Sequence, residues 1–325
     1  MTNIVVYGWY GQENLGDELF KESFKFLFPD YNFTYVTFLT KDILEKNDAV
    51  FFGGGSFLYD SVKINNEDLP LLKSKKIFYI GVGVEKDIHP MHVDLMKSAK
   101  FIAVRSADQL DAVKQINNNA KFVPDIVYSL QSKVVSSKAK NKSILVIPNI
   151  SVVPRWNDPQ WSHSSWNHFK SEFAQFLDIL VEDGYNINFF SMCNNRSLND
   201  DSAASEIINM MSHRNNTCKI YNSPQDLASI TQLLSQYQLI ITQRFHGIVL
   251  SEMARVPYLA IHHHDKLKYS VPHEGKYISY YGTYKQELFD KFNDANNIKY
   301  CSAMPIDSNI FEELQQDVVE LLKDG

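Results

Sequence analysis

Short apolar runs rich in β-branched and aromatic residues alternate with stretches of helical period along nearly the whole chain, and this alternation limits what it can fold into. "NIVVYG" (3–8), "FTYVTF" (33–38), "DAVFFG" (48–53), "KIFYIGVG" (76–83) and "FIAVR" (101–105) have the length and composition of strands. Residues 14–28, 89–99 and 106–117 between them have the period of helices. Strands that are apolar at nearly every position are buried on both faces. That is the mark of a parallel sheet with helices on either side.

The pattern stops at "SSKAKNKS" (136–143), which is polar, cationic and without period, and then restarts. "SILVIP" (143–148), "NINFFS" (186–191), "CKIY" (218–221), "LIIT" (239–242) and "YLAIH" (258–262) form a second set of strands. Helices are expected at 166–183, 202–213, 224–237 and 245–255. The expected plan is α/β, with two Rossmann-like, doubly wound domains at 1–136 and 143–306 joined by a linker at 137–142. An amphipathic helix over 307–325 follows, with Ile310, Leu314, Val318 and Leu321 on one face. Two such domains facing each other would turn the loops at the carboxyl ends of both sheets into one cleft.

Composition narrows the function. In 325 residues the net charge is −6, so no broad basic field exists to attract nucleic acid, and none is expected as a partner. An anionic ligand would have to be held by local cations and backbone N–H groups. The three cysteines, Cys193, Cys218 and Cys301, show no CxxC pairing, which argues against a disulfide framework or a structural zinc site. The first residues enter a short strand without a basic region or a long apolar one, and no run approaches the ~20 apolar residues of a membrane span. The expected location is the cytoplasm, with association at the inner face of the cytoplasmic membrane left open.

Five stretches carry candidate chemistry. In "YGWYGQENLGDELF" (7–20), Asn14 stands where a helix should start and Asp17 falls three residues on, as in a capping box. The pair either only caps the helix or, with the glycines, approaches a ligand hydroxyl or anion. The stretch is neither a Walker A loop nor GxGxxG. In "FFGGGSFL" (51–58), three glycines directly after a buried strand exceed the needs of a turn, and close approach of a ligand or domain is expected there. Arg105 ends a strand, and either pairs with Asp108 on the surface or points into the cleft.

In "RFHG" (244–247), Arg244, His246 and Gly247 occupy a strand-to-helix junction. The helix N-terminus and a guanidinium together suit phosphate or carboxylate. An imidazole there can move a proton near neutral pH. "HHHDK" (262–266) suggests metal at first sight. Consecutive strand residues point to opposite faces, however, so the three histidines cannot converge on one ion and no metal site is expected.

Taken in order, these stretches resemble the polysaccharide pyruvyl transferase family. The matching residues are Gly8, Gly11, Asn14, Gly16, Asp17 and Glu18, then "GGGS" at 53–56, "VRS" at 104–106, "VPD" at 123–125, "RFHG" at 244–247, "VP" at 256–257 and Lys266. The resemblance implies a GT-B-like pair of domains. It also implies transfer of pyruvate from phosphoenolpyruvate to two hydroxyls of one sugar, giving a cyclic ketal and phosphate, with no cofactor and no obligatory metal. The acceptor would be a sugar in a glycan or in its lipid-linked precursor.

On this reading His246, Arg244 and Asp17 are the catalytic candidates. Arg244 binds the phosphate or carboxylate, His246 transfers a proton or contacts phosphate, and Asp17 or Glu18 is a base for the sugar hydroxyl. Substrate would be bound by Arg105, Gly53, Gly54, Gly55, Ser56, Asn14, Gly16, Glu18, Gly247 and Lys266, with Trp9 and Tyr10 available to stack on the sugar. Two alternatives share the fold: a GT-B glycosyltransferase using a nucleotide sugar, and a non-catalytic carbohydrate-binding protein.

Overall fold

The computed structural model describes the chain except for residues 1, 85–86, 138, 140, 150–162, 196–197, 214–217, 223–225, 263–276, 280–282, 298–306, 308 and 325. The chain divides into two compact units, Met1–Ser132 with Ile306–Gly325, and Lys133–Pro305.

The first unit holds β1 (Asn3–Tyr7), β2 (Asn32–Val36), β3 (Ala49–Gly55), β4 (Lys76–Val82), β5 (Phe101–Val104) and β6 (Ala120–Phe122). All pair in parallel, in the order β2-β1-β3-β4-β5-β6. Alternation along the strands sorts the core into two faces. Ile4, Val6, Phe51, Phe78 and Ile80 lie on one side, under Phe20, Phe24 and Leu27 of α1 (Leu15–Leu27). Val5, Val50, Phe52 and Tyr79 lie on the other. That face is covered by Leu44 of α2 (Lys41–Lys46), Leu72 of α3 (Leu69–Lys73), Leu95 and Met96 of α4 (Pro90–Ser98) and Val113 of α5 (Leu110–Lys114).

The helix Asn309–Lys323 packs beside α1 and completes the first of these faces. Its buried stripe is Phe311, Leu314, Val318 and Leu322, with Ile310 and Leu321 at the margin, a rotation of the face expected from the sequence. Lys76 of β4 ties down its end by donating to the carbonyls of Leu322, at 2.8 Å, and Asp324.

The second unit holds β7 (Ser143–Ile147), β8 (Asn186–Ser191), the short hairpin β9 (Asn194–Asn195) and β10 (Leu198–Asn199), β11 (Ile220–Asn222), β12 (Leu239–Thr242), β13 (Tyr258–His262) and β14 (Tyr277–Ser279). Its main sheet is again parallel, in the order β11-β8-β7-β12-β13-β14. The helices are α6 (His163–Glu182), α7 (Asp200–Met210), α8 (Leu227–Leu234), α9 (Phe245–Met253) and a helix over Lys285–Asn297. Phe169, Phe173, Phe176 and Leu180 of α6 pack on Ile144, Val146, Ile187 and Phe189, with Leu288 and Phe292 beside them.

Each strand order reverses direction once. In the first unit β2 and β3 flank β1, so the switch lies between β1 and β3. In the second, β8 and β12 flank β7, so it lies between β7 and β12. Ligands of open α/β sheets bind outside the carboxyl ends of the strands at such points.

Candidate functional site

In the first unit the β1–α1 loop and the end of β3 meet at the switch. Asn14 occupies the N-cap position of α1, but its side chain caps nothing. Its Nδ2 donates instead to Asp17 Oδ2 at 2.6 Å, so the capping-box geometry expected from the spacing does not form. Asp17 is buried, and its Oδ1 lies 3.4 Å from where a Cβ on Gly55 would sit. Glu18 faces the other way, accepting from Gly11 N–H at 2.6 Å and pairing with Lys21. Gly16 is buried in the first turn of α1. Glu13 has φ 53°, a left-handed conformation uncommon outside glycine, in this same loop.

Tyr10 is buried and does not offer a stacking face. Its hydroxyl donates to the Gly53 carbonyl at 2.7 Å. Burial, reinforced by the nearby Asp17 carboxylate, holds its phenol well above the ordinary value.

The glycine triplet has a local explanation. A Cβ on Gly53 would lie 2.6 Å from Phe24 Cζ, and one on Gly54 would lie 2.6 Å from Phe20 Cδ2. Gly54 also has φ +73°. Both residues are glycine because α1 presses its phenylalanines onto the end of β3, and a ligand is not needed to account for them. Only Gly55, half-buried with Asp17 as the nearest atom, faces the loop cluster.

Arg105 follows β5 and does not pair with Asp108. Its Nη1 donates to Asp125 at 3.2 Å and its Nη2 to Ser56 Oγ at 2.8 Å, with both ion-pair side chains almost wholly buried. Gly83 makes room, since a Cβ there would lie 2.9 Å from Arg105 Nε. The guanidinium thus ties the end of β5 to the residues that follow β3 and β6. Asp125, in the "VPD" stretch, is the partner that the charge pattern near Arg105 did not single out.

In the second unit Arg244 is the N-cap residue of α9 and His246 lies in its first turn. Thr242 Oγ1 receives the Arg244 N–H at 3.0 Å and fixes the corner. The guanidinium turns to Asp200, the first residue of α7. Nε lies 3.1 Å from Oδ2, and Nη2 bonds Oδ1. Asp200 is fully buried and also accepts from the backbone N–H of Met192 and Cys193 at 3.1 and 3.0 Å. Burial pushes its carboxyl above the ordinary range, while Arg244 and the two N–H groups oppose that shift. The two-point edge of Arg244 that the sequence assigned to an anion is therefore held by a protein carboxylate.

Gly247 is matched to Thr242: a Cβ there would lie 2.1 Å from the threonine Oγ1. His246 is half-buried, edge-on to Phe245 with ring centroids 5.1 Å apart. Lys266 and the histidines after His262 lie outside the described residues. Among those described, no group of three or more His, Cys, Asp or Glu is arranged to hold a metal ion. Asp200 carried no signal in the sequence, because "NDDS" at a helix start reads as ordinary capping.

Comparison with known proteins agrees with this architecture. UDP-GlcNAc 2-epimerase from Methanocaldococcus jannaschii superposes with a TM-score of 0.61 at 11% identity, covering 98% of this chain and 100% of that one. UDP-GlcNAc 2-epimerase from Neisseria meningitidis, bound to UDP-GlcNAc, gives 0.62 at 9% identity, covering 98% and 100%. HepE from Anabaena, in complex with UDP and glucose, gives 0.55 at 10% identity, covering 98% and 100%. At such identities the likeness shows the fold, which is of the GT-B type. No curated protein sequence matches the chain. The sequence profile for polysaccharide pyruvyl transferase matches residues 14–265, from the Asn14 corner through the Arg244–His246 corner, and the chain belongs to that family.

Proposed function

We propose that the protein transfers pyruvate from phosphoenolpyruvate to two hydroxyls of one sugar in a glycan or its lipid-linked precursor. The observation that carries this reading is the corner after β12, where Arg244 and His246 flank the start of α9 at a topological switch point in a chain of this family. Phosphoenolpyruvate presents a phosphate and a carboxylate on three carbons. A helix N-terminus beside a guanidinium suits either group.

In the reaction, C3 of the enol is protonated and C2 becomes electrophilic. One sugar hydroxyl bonds to C2, the C2–O bond to phosphate breaks, and the second hydroxyl closes the ketal. Of the two hydroxyl protons, one balances the proton gained at C3 and the other leaves with phosphate. His246 is the candidate to deliver or receive a proton at the donor. Arg244, already gripped by Asp200, contributes a fixed positive charge rather than a closing fork, which lowers the cost of organising the site when charge develops. In the first unit Asp17, oriented by Asn14, is the candidate base for the acceptor hydroxyl. Ser56, next in sequence to Gly55, is held by Arg105 and is a candidate for contact with the same acceptor. Among the described residues no helix is long and apolar enough to cross a membrane, so a lipid-linked acceptor would be met at the bilayer surface.

The test is release of phosphate from phosphoenolpyruvate across a panel of aryl or lipid-linked galactosides and N-acetylmannosaminides. The expected result is phosphate release that depends on the acceptor, with stoichiometric ketal. Stabilisation by nucleotide sugars but not by phosphoenolpyruvate would favour the glycosyltransferase reading instead.

A further inference from the structure

Gln243 stands between the end of β12 and the Arg244 corner, and it is 3% exposed. Its backbone N–H continues the pairing with β7, donating to the Ile147 carbonyl at 2.9 Å. Its side chain reaches across the end of the same strand, where Oε1 accepts the Asn149 N–H at 3.1 Å. An N–H can be received only by the oxygen of the amide, so this bond fixes which way round the group lies. The nitrogen end, Nε2, is buried and has no hydrogen-bond partner among the described residues.

A buried amide nitrogen left without an acceptor is costly, and native proteins rarely keep one without a reason. Here the residue that carries the orphan donor links the ends of β7 and β12, the two strands that flank the switch point, and precedes the residue that caps α9. Arg244 adds no side-chain bond to that helix start. Two N–H bonds from an amide fixed at its oxygen end, on the residue before the α9 cap, suit an oxygen carrying negative charge. The Asn149 bond sets the orientation of the amide before a ligand arrives, so that ordering cost is already met.

We infer that Gln243 is a substrate-contact residue whose Nε2 donates to an oxyanion oxygen, carboxylate or phosphate, of the donor held at the β7–β12 switch. The identity of that donor as phosphoenolpyruvate rests on the function proposed above, whereas the contact itself rests on the orphan amide. Gln243→Glu tests it sharply, since the variant keeps an acceptor for Asn149 and replaces the donor with a second acceptor. Gln243→Met removes the donor with little change in length and adds no charge.

Binding of phosphoenolpyruvate, inorganic phosphate and pyruvate is measured by calorimetry for the wild type and both variants, with the melting temperature of each unliganded protein. The expected result is affinity for phosphoenolpyruvate lowered about tenfold or more in both variants, with melting temperatures near that of the wild type. The small probe that loses affinity in parallel identifies the oxyanion contacted. If the Glu variant fails to fold, the Met variant decides. Unchanged affinity in a folded variant overturns the contact while leaving the pyruvyltransferase reading intact. Wild-type binding of phosphate but not of phosphoenolpyruvate, weakened by either variant, supports the contact and overturns the donor. A wild type that binds none of the three overturns both.

Discussion

Arg244 and Asp200, forty-four residues apart, lock two helix N-termini together: the guanidinium of the α9 cap grips the carboxylate that opens α7 through Nε and Nη2. Arg244→Lys keeps the charge but cannot reproduce the planar two-point contact. The sequence alone suggested a loss of activity with the fold intact. The pairing predicts a loss of stability as well, about 2–4 kcal/mol, because a fully buried carboxylate loses one of its donors. Chemical denaturation beside steady-state kinetics checks this. A lysine variant with wild-type stability and wild-type turnover would remove the pair from both roles.

For Gly54 the structure reverses the expectation raised by the triplet. With φ +73° and Phe20 Cδ2 at 2.6 Å from a Cβ, Gly54→Val is predicted to unfold the first unit rather than to spare it and block a ligand. Gly54→Ala should cost about 2–4 kcal/mol, from backbone strain plus overpacking. Gly55→Ala meets no atom closer than 3.4 Å and should cost about 1–2 kcal/mol, mostly from its own positive φ. The ordering of the two alanine variants in a thermal melt is the measurement. Equal stability would show that the Phe20 contact is not limiting.

His92, on α4, is fully buried among Phe52, Phe57 and Tyr79, with the Tyr79 hydroxyl 3.1 Å from Nδ1. Burial lowers its pKa from 6.5 to about 4, with His89 adding to the shift. The folded protein therefore holds the neutral ring, while the unfolded chain takes a proton below pH 6.5. The stability from this group is complete above that pH and is lost as pH falls toward 4, by about 2–3 kcal/mol at about pH 4.5. Urea midpoints at neutral and acid pH should separate wild type from His92→Phe, whose acid loss should be smaller by that amount.

His246→Gln keeps the size and some hydrogen bonding of the imidazole but cannot move a proton at neutral pH. If His246 handles the proton at the donor, turnover falls about 10²–10⁴-fold while phosphoenolpyruvate still binds at the α9 start. Weakened binding with an undiminished maximal rate would make it an anion contact alone, and wild-type activity would leave it structural.

Much of this architecture was legible because it depends on patterns that are local in sequence. Strands such as Asn186–Ser191, Leu239–Thr242 and Tyr258–His262 stand where their apolar runs put them. Elements with weaker patterns were not visible. β6 is three residues long, α2 and α3 have only six and five residues, and the helix Lys285–Asn297 is mostly polar. The corner residues Asn14, Asp17, Arg244 and His246 could be found as candidates, but their partners could not. Arg105 chose Asp125 over the nearer Asp108, and Arg244 chose Asp200, because tertiary packing selects partners that spacing does not encode. The glycine triplet shows the same limit: what Gly53 and Gly54 accommodate is Phe24 and Phe20, contributed by a helix about thirty residues earlier, a contact that spacing does not encode.

The helix Asn309–Lys323 has a consequence for how the protein is made. It supplies Phe311, Leu314, Val318 and Leu322 to the core of the unit that contains the N-terminus. During synthesis residues 1–132 emerge well before residues 309–323, so the α1 side of the first sheet stays without this helix until the second unit has been made. The second unit, contiguous in sequence, can close its core before the first does. Birth order and completion order are thus inverted, and the nascent first unit carries an open apolar flank that invites chaperone binding or aggregation until residues 309–323 seal it.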